Sequence, residues 1–262
     1  MLPPVPTDPT TPAIEFRNVS YQVAGTMVLN DFDLQIQPGE ILVLLGRSGS
    51  GKTTTLKLIN RLLNPSAGQI RIKGQLTSEV DLIRLRRSMG YVIQEVGLFP
   101  HFDVARNIGL VPRIEDWPAD RIRVRIDELL QLTGLPPETA ARYPHQLSGG
   151  QRQRVGVARA LAADPEILLM DEPFGALDPL TRDELQREFL ALQKRLRKTV
   201  VFVTHDLHEA MRLGSRIGLM EAGRLVILLT PQQFLRSTDP LAAAYIRAFG
   251  DRVDLTSTEG KS

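Results

Sequence analysis

The spacing of apolar side chains divides the chain into zones of different period. Residues 14–19 and 27–36 alternate apolar with polar positions, the pattern of half-buried antiparallel strands. An unbroken run follows at Ile41, Leu42, Val43, Leu44 and Leu45 and reads as a buried parallel strand. Residues 54–59 open a helix, and Asn64, Pro65, Ser66, Ala67 and Gly68 are expected to end this first long helix. Residues 69–74 read as a strand and turn, and residues 90–94 as a strand closing on the polar Gln94. From Leu98 to Pro144 the β-type runs vanish. Amphipathic helical spacing appears there around residues 122–132, with turns expected at Pro112, Pro118 and the Pro136-Pro137 pair. Strand signals return at residues 167–171 and 200–204 with helical stretches between them, the alternation of a parallel α/β sheet. Residues 216–229 read as a closing hairpin and residues 231–249 as a pair of terminal helices.

This organisation gives a disordered lead-in at residues 1–12, one domain over 13–249 with a helical insertion at about 98–163, and a tail at 250–262. A chain of 262 residues buries ample core without staples, and with no cysteine it has neither disulfides nor thiolate metal sites. Lys and Arg number 32 against 30 Asp and Glu, a balance too even to argue for nucleic acid. The basic clusters at Arg84, Arg86 and Arg87, at Arg121, Arg123 and Arg125, and at Lys194, Arg195, Arg197 and Lys198 are interleaved with apolar residues. That interleaving favours solvated helix faces over a phosphate-backbone patch. No apolar run approaches the ~20 residues needed to span a bilayer, and the Pro- and Thr-rich start lacks the order of a signal peptide. The expectation is a soluble intracellular protein, peripheral if it serves a membrane.

Between the buried strand and the helix lie Gly46, Arg47, Ser48, Gly49, Ser50, Gly51, Lys52 and Thr53, which fit G-x-x-x-x-G-K-[ST]. Glycines let the backbone turn successive N–H groups toward an anion, and the positive end of the helix dipole adds to them. A nucleoside triphosphate is the expected ligand: residues 46–54 cradle the phosphates, Lys52 reaches the β- and γ-phosphates, and Thr53 ligates Mg2+. The alternative is a glycine-rich turn with no ligand. Further on, an apolar strand ends in Asp171 and Glu172. Beside a phosphate loop, Asp171 is placed to hold Mg2+ and Glu172 to polarise an attacking water as general base. Otherwise the two carboxylates only favour the following helix N-terminus. Ser148, Gly149, Gly150 and Gln151 open another helix, with Ser148 as a natural N-cap, and offer either a second anion site or a plain cap.

Together these segments resemble the nucleotide-binding subunit of ATP-binding-cassette (ABC) transporters. The resemblance matches residues 46–53 to the Walker A loop, Gln94 to the Q-loop, Leu147 to Gln151 to the LSGGQ signature and residues 167–172 to Walker B. Asp178 matches the D-loop and His205 the switch histidine, over roughly residues 14–232. It implies an α/β fold, the P-loop NTPase fold of ABC ATPases. That fold has an N-terminal antiparallel β subdomain, a RecA-like parallel core and a helical insertion subdomain. It also implies an ATP- and Mg2+-dependent ATPase, with Glu172, His205 and Gln94 catalytic and Thr53, Gln94 and Asp171 at the metal. The working form would be a head-to-tail homodimer in which Ser148, Gly149, Gly150 and Gln151 meet the ATP of the other copy. Tyr21 is the available residue for stacking on the adenine ring, unless it is a core or edge-strand tyrosine.

Residues 54–62, 90–101 and 155–161 look like those of bacterial importer ATPases for quaternary ammonium osmoprotectants such as glycine betaine, carnitine and choline. None of these residues touches the transported solute, so the assignment is by likeness alone. Many such ATPases continue into paired C-terminal regulatory modules of the cystathionine-β-synthase type. With only residues 250–262 after Phe249, regulation by such modules is not expected here. The resemblance further implies transmembrane permease subunits, indirectly a solute-binding protein, and a peripheral place on the cytoplasmic face of the membrane. Leu98, Phe99, Pro100, His101 and Phe102 either dock the permease or cover the local core. An importer for another small polar solute is the alternative within the class. A soluble cassette ATPase acting on nucleic acid is the alternative outside it; it is disfavoured because such relatives carry two cassettes or a coiled-coil insertion.

Overall fold

The structure, a computed structural model, describes residues 11–94 and 96–257, with side-chain surroundings through residue 248. Most of the lead-in expected at residues 1–12 lies outside the described residues, as do residues 258–262 of the expected tail.

Two sheets share the chain. The first is antiparallel, in the order β2-β1-β4-β5, from β1 (Ile14–Val23), β2 (Thr26–Ile36), β4 (Ala67–Ile72) and β5 (Gln75–Leu76). The second runs β10-β9-β3-β8-β7-β6 and contains β3 (Ile41–Gly46), β6 (Met89–Val92), β7 (Ile167–Asp171), β8 (Thr199–Thr204), β9 (Arg216–Glu221) and β10 (Arg224–Leu229). All its pairings are parallel except that of β10 with β9. The strands β3, β7 and β8 are buried along their whole length, which is why they read as unbroken apolar runs.

Alternate residues of the central strands serve two cores. Leu42 and Leu44 of β3, with Val201 and Val203 of β8, face the antiparallel sheet and join Ile14, Phe16, Phe32, Leu34 and Ile36. The Phe16 and Phe32 rings meet there edge to face at 5.4 Å between centroids. Val43, Leu45, Val200 and Phe202 point the other way, toward the helices.

The helices are α1 (Lys52–Ile59), α2 (Leu82–Arg87), α3 (Val104–Ile108), α4 (Leu110–Ile114), α5 (Ala119–Leu132), α6 (Gly149–Leu161), α7 (Pro179–Leu196), α8 (Leu207–Leu213), α9 (Pro231–Leu235) and α10 (Pro240–Ser257); of these, α1 and α2 bury Leu56, Leu58, Ile59 and Leu85 in the first core, on the side of the antiparallel sheet. The helices α3 to α6 lie between β6 and β7 in the chain, where the insertion was expected. Their buried Val104, Ile122, Ile126, Leu129 and Val155 pack into the helix-side core.

Three expectations change. The helix α1 is short and ends at Asn60, because the Asn60 side chain accepts the Leu62 N–H at 3.1 Å and Arg61 turns left-handed at φ 52°. Pro112 sits inside α4 rather than in a turn, since the first turn of a helix needs no N–H from it. Finally, α10 runs through Ser257, past the boundary expected at 249.

Candidate functional site

The C-terminal ends of four adjacent parallel strands, β3, β8, β7 and β6, converge on one cleft, as ligand sites do in open α/β sheets. The cleft measures about 770 Å3 and is lined by Arg47, Ser48, Gly49, Gly51, Lys52, Thr53, Thr54, Gln94, Glu172 and His205, among others.

The end of β3 passes into the glycine loop at Gly46, where a Cβ would stand 2.5 Å from the Met220 carbonyl oxygen and 2.6 Å from Ser50 Oγ. Gly51, at φ 101°, is the N-cap of α1 and supplies no side-chain cap. The first-turn N–H groups of the helix therefore have no side chain to answer them. Ser50 Oγ is buried with no hydrogen-bond partner. The loop is held from behind by the β9–β10 turn: the Gly223 N–H donates to the Ser50 carbonyl at 3.2 Å, and the Asn30 N–H donates to the Gly223 carbonyl at 3.0 Å.

Lys52 is buried, and its ammonium donates to the carbonyls of Gly46 at 2.7 Å and Arg47 at 2.9 Å. Burial lowers its pKa, against the pull of Glu172 and Asp171. Thr53 Oγ1 donates to Asp171 Oδ1 at 2.9 Å. Burial raises the Asp171 pKa; the Thr53 bond opposes that shift, Glu172 adds to it, and Lys57 and Lys52 oppose it.

Glu172 follows β7 with φ at 42°, an uncommon conformation for a side-chain-bearing residue that costs on the order of 1–3 kcal/mol. Two backbone bonds hold it there: its N–H donates to the Val203 carbonyl at 3.0 Å, and its own carbonyl accepts from Gly175 at 3.1 Å. The carboxylate then reaches His205, whose Nδ1 lies 3.1 Å from Glu172 Oε2. His205 stands just past β8, and Thr204 beneath it anchors the strand end. Thr204 Oγ1 donates to the buried Glu209 at 2.5 Å, and Gln186 Nε2 of α7 donates to the other Glu209 oxygen at 3.0 Å. Burial raises the Glu209 pKa, with the Thr204 bond opposing.

The remaining expected residues lie apart from the cleft. Ser148, Gly149, Gly150 and Gln151 do not line it; they form a reciprocal cap on α6, with Ser148 Oγ accepting the Gln151 N–H at 3.2 Å. Asp178 caps α7 by accepting the Thr181 N–H at 3.1 Å; the Thr181 side chain first, and this backbone bond second, lower its pKa. Tyr21 is partly buried on β1 against the sheet-to-sheet core and is not among the lining residues. Sequence reasoning missed Val28 and, from α10, Leu241, Ala244, Tyr245 and Ala248, which do line the cleft. The α10 residues carry only an apolar helical spacing, which reads as core.

Beside the Gln94 segment, Arg159 of α6 donates to the Val96 and Gly97 carbonyls at 2.6 and 2.7 Å. Next to it the rings of Phe99, His101 and Phe102 cluster, Phe99 and Phe102 at 5.4 Å between centroids. The fully buried Asn107 fixes this loop, accepting from the Phe99 N–H at 2.8 Å and donating to the Phe102 carbonyl at 3.0 Å. Phe99 itself is 40% exposed.

A phosphate loop, a strand-end Asp-Glu pair and a histidine gathered over one parallel sheet define a nucleotide-binding cassette. The chain belongs to the ABC transporter family, whose family model matches residues 29–175. It is 54% identical over 213 residues to a glycine betaine/carnitine/choline transport ATP-binding protein of Bacillus subtilis, covering 81% of this chain and 56% of that one. A glycine betaine uptake system ATP-binding protein of Escherichia coli is 51% identical over 242 residues, 92% of this chain and 78% of that one. The chain thus spans only about half the length of the Bacillus relative. Among solved structures, an ATP-binding cassette captured as a dimer in a post-hydrolysis state with ADP and Pi superposes with a TM-score of 0.75. That match has 34% identity and covers 83% of this chain and 98% of that one. The fold expected from the sequence, an antiparallel β subdomain on a parallel core with a helical insertion, is the fold observed. Among the described residues no helix is long and apolar enough to cross a membrane.

Proposed function

We propose that this chain binds and hydrolyses ATP as the energising subunit of a bacterial importer for a quaternary ammonium osmoprotectant of the glycine betaine, carnitine or choline type. The observation that carries the hydrolytic part is the placement of Glu172. Its left-handed backbone aims the carboxylate at His205, in the cleft that Lys52 and Thr53 also line, with Asp171 accepting a hydrogen bond from Thr53. The substrate class is supported by the names of the relatives.

ATP fits the cleft because the loop presents uncapped N–H groups, a cradle no Cβ would share and a buried ammonium for the phosphates. Lys52 would exchange its two carbonyl partners for phosphate oxygens, so the loop is pre-organised around the cation that later binds the anion. Mg2+ fits Thr53 Oγ1 and Asp171, hard oxygen donors already in contact, with Gln94 reaching in from the end of β6. When bound it would supply charge neutralisation to the phosphates. Glu172 would take a proton from the attacking water, and His205 would keep that carboxylate oriented.

The signature residues Ser148, Gly149, Gly150 and Gln151 lie outside the cleft of their own chain. That placement supports the head-to-tail homodimer, in which each copy's α6 N-terminus meets the other copy's nucleotide, with Asp178 near the junction. The aromatic cluster of Phe99, His101 and Phe102, rigidified by Asn107, is the surface we assign to the transmembrane permease. This assignment puts the subunit peripherally on the cytoplasmic face, with a solute-binding protein acting through the permease. The test is reconstitution. ATPase activity should rise with permease and betaine-loaded binding protein and not with DNA or RNA; stimulation by nucleic acid alone would overturn the reading.

A further inference from the structure

The cleft has two chemically different linings. One is the polar set of the phosphate loop, Gln94, Glu172 and His205; the other is apolar, made of Val28 on β2 and a face of α10. Residues 241, 244, 245 and 248 are spaced as a single helical stripe. The helix is seated firmly: Ala242 is fully buried, and Leu241, Tyr245 and Ile246 pack against the helix-side core. Burial raises the Tyr245 pKa, with Arg47 of the phosphate loop opposing and Glu221 at the end of β9 adding. Tyr245 and Arg47 of the phosphate loop line the same cleft.

A nucleotide needs both linings, because its phosphates seek N–H groups and cations while its base seeks a flat apolar surface. Of the two ring-bearing residues that line the cleft, His205 is engaged by Glu172, which leaves Tyr245 for the base; Tyr21 does not line the cleft. We propose that α10 provides the wall for the adenine base within the same chain, with Tyr245 as the aromatic contact and Val28, Leu241 and Ala244 completing the apolar surface. Tyr245 is thus a binding residue for the base, not a catalytic one. The inference rests on the ATP reading of the cleft.

The test is equilibrium binding of ATP, ADP and inorganic tripolyphosphate to the full chain, the last carrying phosphates without a base. Tyr245→Ala should weaken ATP and ADP about tenfold, the scale of one lost aromatic contact. It should leave tripolyphosphate within about twofold of wild type, and Tyr245→Phe should bind all three as wild type does. Unchanged ATP affinity in Tyr245→Ala would overturn the proposal. Equal weakening of ATP and tripolyphosphate would also overturn it, since the effect would then lie in the phosphate loop or the fold. Absence of ATP binding in the wild type would instead overturn the ATP reading itself.

Discussion

Glu209 is a buried carboxylate outside the cleft lining that anchors Thr204, the last residue of β8 before His205. Its two oxygens accept from Thr204 Oγ1 at 2.5 Å and from Gln186 Nε2 at 3.0 Å, tying the end of β8 to α7. Glu209→Ala removes both acceptors and strands two buried donors at about 1–3 kcal/mol each, so a stability loss of about 2–6 kcal/mol is expected. Glu209→Gln keeps the shape and one acceptor but turns an NH2 toward a donor, which sets its cost at about 1–2 kcal/mol. Urea unfolding at neutral pH measures both. The pH dependence carries a sign that separates this account from simple packing. Because burial raises the folded pKa above the ordinary 4.5, the native state holds its proton more tightly than the unfolded state does. Its contribution is complete below the unfolded pKa and is lost as pH rises through the folded value. Glu209→Gln should therefore flatten the stability curve above pH 4.5. Loss of Thr204 anchoring should also lower kcat more than it raises KM for ATP. A Glu209→Ala variant within about 0.5 kcal/mol of wild type would refute the reasoning.

Gly223 stands at φ 77°, with a virtual Cβ 2.4 Å from the Val28 carbonyl oxygen, so Gly223→Ala should cost about 2–4 kcal/mol and weaken ATP binding through the loop it supports, as read by thermal unfolding and calorimetry. Charging the aromatic knuckle with Phe99→Asp and Phe102→Asp together should leave ATP affinity intact and abolish co-purification with the permease; retained co-purification would count against that docking surface.

The parts of this protein that were legible in the sequence are those where one signal had one cause. Burial on both faces makes β3, β7 and β8 continuous apolar runs, and the loop glycines mark either a position where a Cβ would strike its neighbours, as at Gly46 and Gly51, or a left-handed backbone, as at Gly49 with φ 81°. Glu172 and His205 could be named because each directly follows such a strand. The end of α1 was misplaced because a side chain competed with the helix: Asn60 captures a backbone N–H, and no periodicity records that. The side-chain direction of Tyr21 was equally unreadable. The β1–β2 register shifts on both sides of it, and a bulge breaks the alternation from which a face is inferred. The α10 residues of the cleft were invisible for a different reason. Leu241, Ala244, Tyr245 and Ala248 have the spacing of any core-facing helix, and only the tertiary arrangement shows that this stripe lines the cleft.

The central claim is that Glu172 acts on water in a site completed by a second copy, and one variant tests both halves. Glu172→Gln preserves size and removes the base, so with ATP and Mg2+ it should accumulate as a dimer by size-exclusion chromatography with light scattering. Its hydrolysis should fall at least about a hundredfold. Near-normal turnover by this variant, or a monomer that binds ATP without pairing, would contradict the account.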